Sequence, residues 1–158
     1  NYTLAYNNRQ FADINQGKVF MYNYDQRHTF NIVLNWTINK HYSLSANWTY
    51  RTGRPVTLPT NVYQADGIGT IYVFDSRNNY RLPNYHRADV AINYQWNSKK
   101  NNGNSTLSIG AYNVYNRANP HYLSYSSFPS GVYITQTSLI PLFPFLNYSR
   151  SFCKHETN

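Results

Sequence analysis

The residues best suited to chemistry lie in one polar and aromatic stretch, residues 57–84. Aromatic rings there can stack on a sugar or an aromatic ligand, and charged side chains between them can hydrogen-bond to it. As alternatives, the carboxylates can cap turns and the rings can pack the stretch on itself. We expect a ligand-recognition loop whose binding residues are Tyr63, Asp66, Tyr72, Asp75, Arg77 and Tyr80.

Histidine, cysteine and glycine spacing does not indicate an enzyme. None of the five histidines stands two or four residues from another, and Cys153 is the only cysteine. His155 lies two residues after it in a polar tail, which is a poor metal site. The chain has no GxSxG nucleophile motif, no HExxH zinc motif and no glycine-rich phosphate loop. We expect neither catalysis nor a metal or cofactor.

Three stretches alternate between apolar and polar residues, which is the pattern of a β-strand with two different faces. We expect one face to contact lipid, through Phe30, Ile32, Leu34, Trp36, Leu44, Trp48, Val90, Ile92, Tyr94 and Trp96. We expect the other to face a polar lumen, through Asn47, Thr49, Arg51, Asp89, Asn93 and Gln95. Arg51 and Asp89 can pair across neighbouring strands or hold a plug domain.

The alternation and the turn residues predict about eight strands. Short turns at 39–41, 98–103 and 126–131 differ from long loops at about 11–24 and 57–84, an asymmetry typical of outer-membrane barrels. Within the second loop we expect a hairpin around 68–74, closed by Asp66-Gly67 and Asn78-Asn79. The strands are expected near 1–9, 26–38, 42–56, 85–97, 104–116, 121–127, 132–139 and 145–152.

Composition favours a sheet over a large oily core. Aromatic residues make up 18% of the chain, yet mean hydropathy is −0.65, and no apolar run approaches the roughly 20 residues of a membrane helix. A closed barrel, which pairs its backbone groups between strands, is the remaining way to span a bilayer. The net charge of +8 sits mostly at expected strand ends and loops, so we expect contact with phosphate-bearing lipid and lipopolysaccharide, and not with nucleic acid.

Several segments, in order, resemble the C-terminal barrel region of TonB-dependent outer-membrane receptors of Bacteroidetes-type bacteria. They are YNNRQFADINQGKVFMYNYDQRH at 6–28, YRTGRPVTLP at 50–59, RLPNYHRADVAINYQW at 81–96, YNVYNRANP at 112–120 and PLFPFLNYSRSF at 141–152. The resemblance implies an all-β, antiparallel transmembrane β-barrel of 22 strands, of which residues 1–152 supply about the last eight. It also implies an upstream plug domain, TonB as a partner, and energy-driven uptake of a bulky nutrient such as a siderophore, cobalamin or a glycan.

Two departures from the family pattern stand at the C-terminus. Arg150 occupies a position where an apolar residue is expected, which is tolerable only at the rim of the membrane. A polar tail, residues 153–158, follows Phe152, where the family commonly ends on an aromatic residue.

Two other architectures fit the same patterns. A complete eight-stranded outer-membrane barrel acting as an anchor or adhesin would pair its first strand with its last. A soluble β-rich carbohydrate-binding module would instead cover the tryptophan faces with a second sheet. Because the first residues already read as a strand, we expect a piece of a longer chain.

Overall fold

The computed structural model describes residues 1–98, 103–128 and 131–151. In these ranges the chain is built from β-strands and has no α-helix, the only helical segment there being a 3₁₀ turn at Asn15–Gly17. The pairs whose register is known are antiparallel. The prediction of an all-β, antiparallel fold is confirmed. No helix in the described ranges is long and apolar enough to cross a membrane.

Fourteen strands occur in the described ranges. In chain order they are β1 (Tyr2–Leu4), β2 (Asn8–Arg9), β3 (Phe20–Met21), β4 (His28–Thr37), β5 (Tyr42–Arg51), β6 (Pro55–Val56), β7 (Asn61–Ala65), β8 (Gly69–Val73), β9 (Tyr80–Arg81), β10 (Tyr85–Ser98), β11 (Gly103–Tyr112), β12 (Tyr122–Phe128), β13 (Gly131–Thr137) and β14 (Phe143–Arg150).

The largest sheet in the part of the chain that the structure describes has six strands, in the order β1-β4-β5-β10-β11-β14. Four smaller pairs stand apart from it: β2-β3, β6-β9, β7-β8 and β12-β13. β1 and β14 are the outer strands of an open sheet, so no closed barrel forms among the described residues.

Contacts divide the chain into two compact units. The sheet unit comprises the described residues of 31–49, 87–117 and 140–151, which are most of β4, β5 and β10 with β11 and β14. The loop unit comprises the described residues of 1–30, 50–86 and 118–139, which hold the four small strand pairs, β1 and the neighbouring ends of β4, β5 and β10.

Most strand boundaries agree with the sequence prediction to within a few residues, and three differ for identifiable reasons. The first strand breaks after Leu4 because the main-chain N–H of Asn7 donates to the Asp25 carboxylate at 2.8 Å. β5 ends at Arg51, two residues before Gly53, which lies against the backbone of Leu82. β11 ends at Tyr112 because the next residue, Asn113, takes a positive φ of 52°.

β12 and β13 correct the prediction of about eight strands in one wall. They pair with each other, with Tyr125 opposite Ile134, and do not join the six-stranded sheet. Their paired positions mix polar and apolar residues, as where Leu123 faces Gln136, so neither face is continuously apolar. The tail 153–158, Phe152, and parts of the turns predicted at 98–103 and 126–131 lie outside the described residues.

Candidate functional site

One face of the sheet unit is apolar from strand to strand. The register places Ile92 of β10 opposite Ile109 of β11, and Ile109 opposite Leu146 of β14. On the same face of β10, the ring of Tyr94 lies 4.9 Å from that of Tyr42 on β5. Alternation then places the predicted lipid-facing residues of this unit on that face, namely Ile32, Leu34, Trp36, Leu44, Trp48, Val90, Ile92, Tyr94 and Trp96.

Much of this apolar face is exposed. The exposed fraction is 58% for Trp36, 57% for Ile109 and 70% for Leu146. Soluble monomers seldom expose contiguous apolar patches larger than a few hundred Å², and larger ones mark contact with lipid or a partner. Phe30, the remaining member of the predicted lipid-facing set, belongs to the loop unit, where it stacks on Tyr2 at 4.4 Å.

Aromatic rings gather towards one end of the apolar face. Trp96 stacks on Tyr94 at 5.3 Å and on Tyr148 at 6.0 Å. Arg150 lies opposite Ser105, two residues from the start of β11 at Gly103. Ser105 is also the partner of Trp96, so Arg150 stands in the same cross-strand row as Trp96, near one end of the face.

The opposite face of the sheet unit carries the predicted lumen-facing residues, but Val33, Tyr112, Phe143 and Phe145 lie on it as well, with the ring of Tyr112 4.9 Å from that of Phe145. Thr49 donates to Asn31 on the neighbouring strand at 3.1 Å, and Asn93 donates to Ser45 at 3.2 Å. Alternation places Asn47, Asp89 and Gln95 on this face as well. Cross-strand hydrogen bonds satisfy Thr49 and Asn93 on this face, whereas the buried Oδ1 of Asn47 has no hydrogen-bond partner among the described residues.

Asp89 does not pair with Arg51, as was suggested, but with Arg87. Arg87, two residues away on β10, donates to the Asp89 carboxylate at 2.8 Å, and the Asn113 main-chain N–H donates to its other oxygen at 3.0 Å. Side chains two residues apart on a strand share a face, which keeps this pair local. Arg51 belongs to the loop unit, where it lines a cavity of about 200 Å³.

The loop unit is organised around a buried carboxylate. Asp25 is 1% exposed, forms an ion pair with Arg81, and accepts a hydrogen bond from the Asn7 main chain at 2.8 Å. Burial alone raises the pKa of Asp25, but the Arg81 hydrogen bond, the Asn7 bond and the charges of Arg81 and Arg27 outweigh it and hold the pKa below its ordinary value. Arg81 also donates to the main-chain oxygens of Asp25 at 2.8 Å and Gly53 at 2.7 Å.

Asparagine side chains tie the loops of this unit together. Asn78 is buried, takes a positive φ of 58°, and donates to the main-chain oxygen of Met21 at 2.6 Å. Asn79 bonds both main-chain groups of Leu58, at 2.9 and 2.8 Å. Asn15 does the same for the main chain of Arg77, at 2.7 and 3.1 Å. These bonds join segments more than twenty residues apart in the sequence.

Two adjoining cavities lie among these tied loops. The first, which we call the Arg54–Arg77 cavity, has a volume of about 590 Å³ and is lined by Asn23, Tyr24, Arg54, Pro55, Val56, Thr57, Arg77 and Asn78. The second, of about 490 Å³, shares Arg77 and Asn78 with it and is also lined by Lys18 and Asp75. Both volumes fall within the range of small-molecule sites, about 300–1,000 Å³.

The structure spreads the predicted ligand-binding residues over several places. Tyr63 and Asp66 belong to the exposed hairpin β7–β8, whose turn at Asp66-Gly67 is confirmed. Tyr72 packs edge-on against Tyr125 of β12, and Tyr80 pairs with Val56 between β9 and β6. Arg77 alone of the set lines the Arg54–Arg77 cavity.

The Asp75 carboxylate makes the hydrogen bonds of a residue that caps a turn. It accepts hydrogen bonds from Asn79 Nδ2 at 2.7 Å and from the Ser76 main chain at 2.7 Å. The Asn79 bond, helped by the Ser76 N–H, lowers the pKa of the Asp75 carboxyl. Asn78 and Asn79 were expected to close the hairpin; they fasten the base of the loop instead.

Sequence reasoning missed three parts of this arrangement. Arg54 was not among the predicted ligand-binding residues, yet it lines the cavity. Asp25 was assigned no role although it is buried, and Asn78, also buried, was expected only to close a hairpin. The local sequence held one usable signal, the pair Asn78-Asn79, because asparagine tolerates the left-handed conformation and hydrogen-bonds main-chain groups.

No cluster of three or more His, Cys, Asp or Glu residues that could hold a metal occurs among the residues described. Comparison of the chain with protein-family models, with curated proteins and with solved structures gave no match.

Proposed function

We propose that this chain is part of a TonB-dependent outer-membrane receptor that takes up a bulky nutrient, such as a siderophore, cobalamin or a glycan, with energy supplied through TonB. The sheet unit contributes barrel wall in the outer membrane, and the loop unit contributes ligand-recognising loops. The observation that carries the proposal is the largely exposed apolar face of the sheet unit, which holds all three tryptophans of the chain, with Trp36 exposed and Trp48 and Trp96 partly exposed. Burying each such side chain is worth about 1.5–3 kcal/mol, which lipid can supply.

The two alternatives fit the geometry less well. In the described residues β1 and β14 are outer strands and do not pair with each other, which weighs against a complete eight-stranded anchor or adhesin. The 58% exposure of Trp36 weighs against a soluble carbohydrate-binding module, since that module needs a second sheet over the tryptophans. A larger barrel accommodates an open, two-faced sheet because further strands continue it at each edge.

The membrane assignment is tested by quenching tryptophan fluorescence with brominated lipid. The protein is reconstituted in vesicles as a variant with Trp96 alone, made by Trp36→Phe and Trp48→Phe. The matched control moves the reporter by one residue to the polar face, through Gln95→Trp and Trp96→Tyr. We expect strong quenching of the first variant and weak quenching of the control, because successive strand residues face opposite sides. Equal quenching, or a monodisperse monomer in detergent-free buffer, would contradict a lipid-facing sheet.

The receptor assignment has a separate test in cells that carry the whole protein. Uptake of the nutrient is expected to stop when the gene for TonB is deleted, with the protein still present in the outer-membrane fraction. Uptake that continues at an unchanged rate would show passive passage and would refute the energy-driven mechanism.

A further inference from the structure

The Arg54–Arg77 cavity has a cationic lining. Two of its eight lining residues are arginines and none is acidic. In the part of the chain that the structure describes, the guanidinium of Arg77 has no hydrogen bond or ion pair, since the contacts of this residue are made by its main chain. The buried acid of the same unit, Asp25, is already paired with Arg81 and Arg27. The Arg77 charge is therefore available to a ligand.

The wall that carries Arg77 is held in place before any ligand arrives. Asn15 bonds both main-chain groups of Arg77. The neighbouring residue, Asn78, is held by its bond to Met21 and by its own N–H, which donates to Thr57 at 3.0 Å. A ligand that meets a fixed main chain has less conformational entropy to remove on binding, which favours affinity.

The remaining lining offers an apolar surface beside the cations. Tyr24 is 72% exposed, so most of its ring is open to contact, and the half-buried Val56 adds apolar atoms, whereas Pro55 is almost fully buried. Arginine binds carboxylate and phosphate oxygens with paired hydrogen bonds, and a tyrosine ring offers a flat face to another ring. The lining thus combines anion-binding groups with a surface for a ring.

We propose that the Arg54–Arg77 cavity binds an anionic sugar, whose phosphate or carboxylate contacts the arginines and whose ring lies against the Tyr24 side. The claim that the transported nutrient is an anionic sugar rests on the proposed function. The claim that the cavity binds an anionic sugar does not rest on it, because the cavity, its charge and its fixed wall all belong to the loop unit. Arg54 then acts as a ligand-binding residue, although its guanidinium also donates to the His121 main-chain oxygen at 2.7 Å.

Calorimetric titration of the whole protein in detergent micelles tests the proposal with three probes. Glucose 6-phosphate and glucuronate carry the two anionic groups, and glucose is the neutral control. We expect at least one anionic sugar to bind about tenfold or more tightly than glucose at low salt, and to weaken in high salt. The stronger of the two identifies phosphate or carboxylate as the preferred group.

Variants separate the cavity from the general positive charge of the chain. Arg77→Gln removes a cation that has no structural partner in the described residues, and Arg54→Gln removes the second cation. Lys40→Gln, in the exposed turn between β4 and β5, is the matched control for losing one charge. We expect about a tenfold or greater loss of affinity for Arg77→Gln and Arg54→Gln, and a change within about twofold for Lys40→Gln.

Three outcomes would overturn the proposal: no binding of either anionic sugar at millimolar concentration, equal binding of glucose, or an equal loss in Arg77→Gln and Lys40→Gln. These outcomes are independent of the lipid-quenching test. If the anionic sugars bind but Trp96 is not quenched by lipid, the cavity assignment stands and the outer-membrane assignment falls. If quenching is seen without binding, only the ligand class is refuted.

Discussion

Replacing Arg81 with methionine is expected to loosen the loop unit. The substitution keeps a long apolar side chain but removes the ion pair with Asp25 and the donors to the main-chain oxygens of Asp25 and Gly53. Asp25, 1% exposed, would then keep its charge with only the Asn7 N–H and the more distant Arg27, at 3.6 Å, to offset it.

The expected cost follows from the burial of the pair. Removing one partner of a buried ion pair destabilises a protein by about 3–5 kcal/mol, because the other charge remains buried. Since about 1.4 kcal/mol is a factor of ten, the equilibrium constant for local opening should rise by about 10²–10⁴. Arg81 is 22% exposed, so solvent screens the pair only weakly.

Hydrogen exchange at the Asn7 amide measures this opening, because that amide donates to the Asp25 carboxylate. Arg77→Met, four residues away, is the matched control, since it removes a guanidinium that has no partner among the described residues. Exchange at Val114, whose amide donates to Ala88 in the sheet unit at 2.9 Å, should not change in either variant. Unchanged protection of Asn7 in Arg81→Met, or an equal loss in Arg77→Met, would refute the reasoning.

The same ion pair predicts a pH dependence. The folded pKa of Asp25 is lowered, so the unfolded chain binds more protons in the interval between the two pKa values. The stabilisation is present above the unfolded pKa, about 4, and is lost as pH falls through the folded pKa. In Arg81→Met this acid loss should be smaller, because the hydrogen bond and charge of Arg81 are gone while burial still raises the pKa. Identical acid profiles of Asn7 exchange in the two proteins would contradict the pairing.

Three further substitutions test the packing of the chain. Gly53→Ala would place a Cβ 1.7 Å from the Leu82 main-chain oxygen, so we expect the loop unit to be cut by protease much faster than in the parent chain. Gly67→Ala, with open space around it, is the control and should cost about 1–2 kcal/mol at its positive φ. Gly110→Ala would bring a Cβ within 2.4 Å of a main-chain oxygen of β10, and a drop of several degrees in the melting temperature is expected; an unchanged melting curve would contradict the close approach. Asn78→Ala should lose about 1–3 kcal/mol from its hydrogen bond and more from strain, whereas Asn78→Gly should lose only the bond; equal unfolding free energies of the two variants would rule out the strain.

The two faces of the sheet were predictable because the information is local. Side chains alternate between the two faces of a strand, so neighbouring residues are enough to predict the face on which each one lies. The alternation around Trp36 and Trp96 therefore predicts their face before any partner strand is known. The register then confirms that the faces of β10 and β11 coincide, as at Ile92 and Ile109. Strand pairing adds the order of the strands, which the alternation does not contain.

Strand ends and the interior of the loop unit were less predictable because distant residues determine them. Asp25 and Arg81 are 56 residues apart, and neither neighbourhood indicates the other. Arg81 lies in the stretch 57–84, whose charged side chains were expected to hydrogen-bond to a ligand, and only the structure shows it paired with Asp25. Likewise, the end of β11 depends on Asn113, whose side chain donates to Ile140, 27 residues away, at 2.7 Å.

Asparagine hydrogen bonds explain how a chain of low mean hydropathy has an ordered structure. A loop that buries few apolar side chains must obtain its order from hydrogen bonds, and an asparagine amide can replace a main-chain partner because it offers both a donor and an acceptor. Asn15, Asn79 and Asn119 each use both, bonding an N–H and a C=O of a distant segment, as Asn119 does with both main-chain groups of His86. The loop unit holds its cavities open with only Phe20, Leu82 and Pro55 as buried apolar side chains among the described residues. A ligand that enters the Arg54–Arg77 cavity therefore meets a fixed polar frame, in which specificity depends on charge and hydrogen-bond geometry more than on apolar fit.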